Sequence, residues 1–417
     1  MLTENAKDGA LSRPNSLARG LAVLYGSTFL AGMWSMIVPA VPLLTREFGI
    51  SPGVAAQIMT ALAVGRFVGN PASGVVLDRL GTRTALLAGP ALAACAAVVA
   101  AIATRFEAML VAVAVIGFGD NLWTFGREIA GVELARHDQR GRVLSGFHGV
   151  NNFGLSIGPL AGGVLAQAVG FRAAFLAYAI CAAAAVLLGF GEGETRPAAR
   201  AAKKRAVYSS PAAAVRQWLG GLKALFHQID PALRATYVVL VLATLTSFIH
   251  RVTMQSMLPL YATAYLALSP REIGLLFSIM GLFVFAMIFP AGFVIDKVGR
   301  KWATVPSTGL PALVFLLIPF TTSFFQLAVL MSFMGIANGL SLGSVATSTY
   351  DVVPAAARGR LQAFRRFSAE TGSVTAPLLG GFLADRFNPG VPFWAYAPLL
   401  IVSAVLLALV ARETLRR

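Results

Sequence analysis

Charge is scarce in this sequence. Asp, Glu, Lys and Arg make up 12% of the 417 residues, about half of the roughly 25% typical of a soluble globular domain. That scarcity excludes a water-soluble fold of this length. Cysteine is almost missing too. Cys95 and Cys181 both sit in apolar stretches and imply neither a disulfide framework nor a metal site. No G-x-x-x-x-G-K-[ST] run is present, so an ATP-driven engine is not visible, and no G-x-S-x-G elbow marks a hydrolase. Neither an enzyme nor a bound cofactor is expected. The first twenty residues are polar (Glu4, Lys7, Asp8, Arg13, Arg19) and hold no apolar region with a cleavage site, so no removable signal peptide is expected.

What fills the chain is apolar. Hydrophobic residues are 57% of it, and the mean hydropathy is +0.73. Stretches of about 20 apolar residues recur, each long enough to cross a ~30 Å hydrocarbon core as a helix. Twelve spans are expected, near 20–45, 53–77, 84–104, 107–132, 144–169, 173–190, 235–265, 271–295, 302–321, 324–350, 361–386 and 392–411. The fold class is therefore an all-α membrane protein of twelve transmembrane helices.

A net charge of +16 would suit nucleic acid, but its placement suits a membrane instead. With twelve spans the loops alternate sides. One side carries 24 Lys and Arg, the other 5, and the remaining 5 (Arg66, Arg127, Arg251, Arg365, Arg366) fall in or near spans. The positive-inside rule then puts both termini in the cytoplasm, with the protein in the cytoplasmic (inner) membrane. Nucleic acid is not an expected partner; the lipid bilayer is.

The chain is one half written twice. At an offset of 218, Ser51-Pro52 matches Ser269-Pro270, Gly74 matches Gly292, Asp78 matches Asp296 and Gly81 matches Gly299. Further on, Gly117 matches Gly335, Arg140-Gly141-Arg142 matches Arg358-Gly359-Arg360, and Pro159 matches Pro377. A gapless register from the second span to the sixth points to a duplicated six-span unit, a transporter architecture with its substrate near the midplane between the halves. The expected domains are an N-terminal six-helix bundle over 1–190, a cytoplasmic linker with an amphipathic helix over 191–234, and a C-terminal six-helix bundle over 235–417.

"GVVLDRLGTR" follows the second span and "GFVIDKVGRK" follows the eighth. The first glycine of each (Gly74, Gly292) allows close helix contact, and the second (Gly81, Gly299) turns a tight loop. Asp78 and Asp296 stand at the membrane edge, beside Arg79, Arg83, Lys297, Arg300 and Lys301. This pattern, repeated at the same place in each half, resembles the major facilitator superfamily over essentially the whole chain. The resemblance implies two pseudo-symmetric six-helix bundles that rock about a central cavity. It also implies a conformational latch, in which the loop Asp reaches across the halves and to an acid ending the fourth span. The matching acids are Glu133 and, at the repeat offset, Asp351.

The fifth span carries Gly154, Gly158, Pro159, Gly162 and Gly163 within ten residues. Small residues four apart give a face that another helix can approach closely, and Pro159 removes a backbone hydrogen bond and bends the helix. The run is similar to the antiporter motif of the drug:proton antiporter branch. Its copy in the eleventh span keeps Gly372, Pro377, Gly380 and Gly381 but has Ala376 in the middle, so only the first half carries the full motif. The chain departs from that branch at Val113, where such antiporters carry an Arg four residues before the place of Gly117.

Ionisable groups inside a membrane are costly and mark function by default. Asp120 and Arg127, seven apart, share a helix face, and Arg66 lies near the middle of the second span. Asp120 is the candidate proton carrier, with a fixed ion pair to Arg66 or Arg127 as the alternative. Glu370, the repeat partner of Asn152, is a second protonatable candidate. His250, Met254, Met257 and Tyr261 make one helical stripe in the seventh span, and Arg251 beside them suits a substrate with an anionic part. Trp34, Trp123, Asn151 and Asn152 complete the candidate substrate-binding set. The expected activity is proton-coupled export of small amphipathic compounds by a monomer. Two alternatives stay open: uptake, or transport of lipids or anionic metabolites bound by the intramembrane arginines; and a membrane receptor that keeps the fold without transport.

Overall fold

The computed structural model describes residues 14–134, 140–190, 225–354 and 357–414. Most of the expected linker (191–224) lies outside the described residues, as does the side chain of Glu133.

Twelve helical spans are traced through the described residues. The first, α1, runs as α-helix over Pro14–Gly32, tightens to a 3₁₀ stretch over Met33–Ala40, and ends as α-helix over Val41–Glu47. Next comes helix over 51 residues, Pro52–Ile102. Straight, it would be about 76 Å long, more than twice a ~30 Å hydrocarbon core. It turns back at Gly81, whose φ of 84° and ψ of 171° suit a residue without a Cβ. The result is α2 (52–80) and α3 (82–102). Then follow α4 (Phe106–Leu134), α5 (Arg140–Val169) and α6 (Phe171–Phe190).

The C-terminal half repeats this plan with more breaks. Helix α7 is Pro231–Leu266. Helix α8 is Pro270–Ala286, bent by 43° into Ile288–Phe293 and a π-helical turn, Val294–Val298. Gly299 (φ 152°) then turns the chain into α9 (Arg300–Leu317), so both loop glycines sit at their expected turns. Helix α10 has two segments, Phe324–Leu340 and Ser344–Val352, separated by Gly343 at φ 83°. The last two are α11 (Arg358–Arg386) and α12 (Val391–Leu409).

Among the described residues, eight helices are long and apolar enough to cross a membrane on composition, nine with the bent α8, and the unbroken Pro52–Ile102 is one of these. Helices α5 and α11 have the length but not the composition. Charged and amide groups such as His148, Asn151, Asn152, Arg365, Arg366 and Glu370 dilute them. That dilution fits helices that face a polar interior. The lipid-facing surface is apolar, with Leu187, Phe289, Phe325 and Leu409 all largely exposed on the bare protein.

The halves meet through α5 against α8 and α2 against α11. At the end of the linker, Leu225 and Ile229 are buried against Tyr237, so the chain entering α7 docks on the C-terminal half.

Candidate functional site

A cavity of about 460 Å³ lies between the halves, bordered by α1, α2, α4 and α5 on one side and α7 and α11 on the other. It sits on the side of the bundle where the chain ends, next to Glu128 near the end of α4 and Arg365 near the start of α11. Its centre is an ion pair. Both Nη2 (2.8 Å) and Nε (3.0 Å) of Arg66 donate to Oδ2 of Asp120. The guanidinium also stacks over Trp34, 4.6 Å from the ring centroid. Only Oδ2 is gripped; Oδ1 takes no hydrogen bond from the described residues. Glu370 faces the same cavity from the other half, where it feels the fields of Arg66 and Arg366.

The opposite end of the bundle is sealed. Ser51 begins α2, and its Oγ accepts from the Val54 N–H (3.3 Å). The same hydroxyl donates to Oδ2 of Asp385 on α11 (2.7 Å), while the Gly53 N–H donates to Oδ1 (2.7 Å). A carboxylate of one half thus caps a helix N-terminus of the other. Phe67 and Phe367 meet across the same α2–α11 seam, with ring centroids 5.4 Å apart.

Glycines make the α5–α8 seam. A Cβ on Gly163 would run into the Pro270 carbonyl, and one on Gly274 into the Pro159 carbonyl. The other motif glycines face α1 instead. A Cβ at Gly154, Gly158 or Gly162 would strike the Phe29 carbonyl, the Ser35 hydroxyl or the Met36 carbonyl. Helix α5 therefore touches its own half and the opposite half with backbone-to-backbone closeness on two faces.

The remaining expected residues divide. Trp34, Arg66, Asp120, Arg127, Asn151 and Glu370 border the large cavity. Asn152, Arg251 and Met254 border a second, smaller cavity. Trp123 borders neither. It is fully buried, donates from Nε1 to Ser27 (2.9 Å), and packs inside the N-terminal half. Arg127 is 2% exposed, enclosed by Trp123 and Phe147 and donating to Thr124 Oγ1 (3.0 Å). The α7 stripe also points elsewhere than expected. His250, Met257 and Tyr261 are buried in the C-terminal half, because α7 presents that face to α10, α11 and α9. Tyr261 donates to the Ile318 carbonyl (2.9 Å), and the His250 ring lies between the Thr246 carbonyl (3.2 Å) and the Asn338 side chain (3.1 Å).

Sequence reasoning left out Thr124, Phe147, His148, Thr244 and Phe248, all of which border the large cavity. Helical spacing held a signal: Phe147, Asn151 and Leu155 are four apart on α5, and Thr244 and Phe248 four apart on α7.

At the loops, Arg300 bridges Asp296 (3.3 Å) and Asp351 (3.0 Å), all within the C-terminal half. Glu413 accepts from the N–H groups of Arg300 (2.9 Å) and Lys301 (3.1 Å) and so caps α9. Asp78 has an interaction partner as well. Arg83 keeps a buried Nε without a partner. Gly74 and Gly292 have open space where a Cβ would go.

The sequence pattern of the Major Facilitator Superfamily matches residues 23–265 and again 240–417. The chain belongs to the Major Facilitator Superfamily. Among curated members of the superfamily it is 24% identical over 413 residues to "Multidrug resistance protein MdtG" of Proteus mirabilis (strain HI4320), covering 94% of this chain and 96% of the relative. It is 23% identical over 416 residues to the protein of the same name from Enterobacter lignolyticus (strain SCF1), covering 96% and 94%. Solved superfamily structures share the fold. A POT family transporter in complex with 5-aminolevulinic acid aligns with a TM-score of 0.78 at 14% identity, over 94% of this chain and 96% of that one. A D-xylose-proton symporter aligns with a TM-score of 0.72 at 18% identity, over 96% and 99%.

Proposed function

We propose that this superfamily member is a proton-driven exporter of small amphipathic compounds, working by alternating access. The observation that carries the proposal is the Arg66–Asp120 pair in the cavity between the halves, with Glu370 facing it from the other half. The full-length similarity to proteins named for multidrug resistance supports the direction. Both termini lie in the cytoplasm in this reading, on the basic asymmetry of the loops. The structure then represents the inward-facing state, sealed outside by the α2–α11 and α5–α8 seams.

The chemistry follows from the one-sided grip on Asp120. A proton arriving on Oδ1 neutralises the carboxylate and weakens its hold on Arg66. The released guanidinium turns to Glu370, an acid of the opposite half, and so biases the halves toward a different arrangement. When the proton leaves toward the cytoplasm, Arg66 returns to Asp120. Exchanging one charge against a 100 mV potential is worth about 2.3 kcal/mol, enough to drive an uphill step. Arg300 holds Asp296 and Asp351 within one half in this state; in the latch reading these acids, with Asp78 and Glu133, engage the opposite half when the cytoplasmic side closes.

The test is a tolerance panel. An efflux-deficient bacterium expresses the wild type or Asp120→Asn at matched membrane levels against chemically varied toxic compounds. The expected outcome is raised tolerance with the wild type and none with the variant. Equal protection by both would make Asp120 structural, and no protection by either would sink export itself.

A further inference from the structure

The smaller cavity, about 130 Å³, is the repeat counterpart of the large one. The large cavity is built from α1, α2, α4 and α5 with α7 and α11; the small one from α7, α8 and α10 with α1 and α5. Adding the repeat offset of 218 carries Arg66 to Val284 and Asp120 to Asn338, and both of these line the small cavity. The ion pair of the N-terminal half has thus been replaced by an apolar residue and a neutral amide. A cation is present all the same. Arg251 enters from α7.

Arg251 has no acid to answer it. Among the described residues no carboxylate lies within ion-pair distance of its guanidinium. One Nη donates to the Ser341 hydroxyl, which itself donates to the Asn338 carbonyl (2.7 Å), and the buried Nε has no partner. An uncompensated guanidinium within a membrane bundle is strongly unfavourable unless something anionic joins it. The break of α10 at Gly343 brings helix C-terminal carbonyls near, but those are fractional charges, and Arg251 donates to none of them among its hydrogen bonds. Met254, Phe277 and Met280 supply an apolar wall beside the cation. The volume is close to that of an engineered cavity of about 150 Å³ that takes benzene. Leu155 borders both cavities, so a ligand held by its head at Arg251 has its body directed past Leu155 toward the larger space.

We propose that the Arg251 cavity is a carboxylate subsite, and that the cargo class includes amphipathic monocarboxylates whose apolar body extends into the cavity between the halves. This rests on the transport reading above and adds the head group it selects. Arg66 and Arg127 do not serve this role, because the first is committed to Asp120 and the second is enclosed by Trp123, Phe147 and Thr124.

The experiment uses the full chain in lipid nanodiscs with radiolabelled phenylbutyrate, competed by unlabelled phenylbutyrate, phenylbutyramide and phenylbutylamine. These share one body and differ in the head. In the wild type the carboxylate should bind about tenfold or more tighter than the amide, as expected for a desolvated charge-assisted contact. Arg251→Gln should bring the ratio to about one. Asn338→Asp places a carboxylate in the wall of the same cavity, so it should repel an anionic head and collapse the ratio while keeping the guanidinium. Equal affinity of the two heads in the wild type, a ratio that survives in both variants, or no phenylbutyrate binding at millimolar concentration overturns the proposal. A fall in thermal stability of Arg251→Gln with the ratio unchanged also overturns it and makes Arg251 a structural residue. Efflux of neutral and cationic compounds by the wild type is measured separately. Its absence with the head preference intact would defeat export alone, and its presence with equal heads would defeat the subsite alone.

Discussion

The two halves start their second helices differently. In the C-terminal half, Ser269 and Glu272 cap α8 reciprocally: the Ser269 Oγ accepts from the Glu272 N–H (3.3 Å), and Glu272 Oε2 accepts from the Ser269 N–H (2.8 Å). In the N-terminal half the place of Glu272 is held by Val54, and the carboxylate comes from Asp385 in the other half. The same divergence appears at the cavities, where Arg66 and Asp120 face each other in one half and Val284 and Asn338 stand at those places in the other. Duplication preserved the backbone plan while electrostatics diverged. Where one half is self-sufficient, the other depends on a partner: on Asp385 for a cap and, at Arg251, on a ligand. Such dependence is what lets two rigid bundles respond to each other.

Breaking the Arg66–Asp120 pair should have the largest effect. Asp120→Ala leaves a guanidinium unpaired within the bundle and should cost about 2–4 kcal/mol, with proton-driven efflux abolished. The double variant Arg66→Val with Asp120→Asn gives this half the composition of the other. It should recover most of the thermal stability in detergent but none of the pH-gradient-driven efflux. Recovery of efflux would show that coupling lies elsewhere.

Next comes the α5 face. Gly162→Ala drives a methyl into the Met36 carbonyl and should cost about 1–3 kcal/mol through backbone displacement. Gly158→Ala meets a hydroxyl, Ser35, and should cost less, particularly since its counterpart in α11 is already Ala376. Melting temperatures of the two variants, ranked against each other, check this order.

Asp385→Ala removes the cap on α2 and should cost about 1 kcal/mol, the usual worth of an N-cap. It should also loosen the seal. A cysteine placed at Gln57, in a chain lacking Cys95 and Cys181, should react faster with an impermeant maleimide applied from the outside. Adding Val54→Glu should restore the cap in the manner of Glu272 and return the stability, yet leave labelling fast, because the bond between the halves stays broken. If Val54→Glu slows labelling too, the cap and the seal are one effect. Val54→Glu alone should be the mildest change, a gain or loss within about 0.5 kcal/mol.

The helical spans, the repeat, the turns at Gly81 and Gly299 and the membrane class were legible because each rests on a local or periodic rule. Apolar length sets a span, a missing Cβ permits a positive φ, and a fixed offset exposes duplication. Asp120 and Arg66 were legible as intramembrane charges for the same reason: any such group must find a partner. The surroundings of His250, Met257 and Tyr261 were not legible, because a helical stripe says that residues share a face, not which neighbour the face meets. Only the packing of α7 against α9, α10 and α11 turned Met257 and Tyr261 inward. Only tertiary structure brought Asp385 to Ser51, 334 residues away in sequence, and left Arg251 without an acid among the described residues. Composition and periodicity act along the chain. Pairing of charges and the choice between wall and core act across it, and they depend on distances that no spacing in the sequence contains.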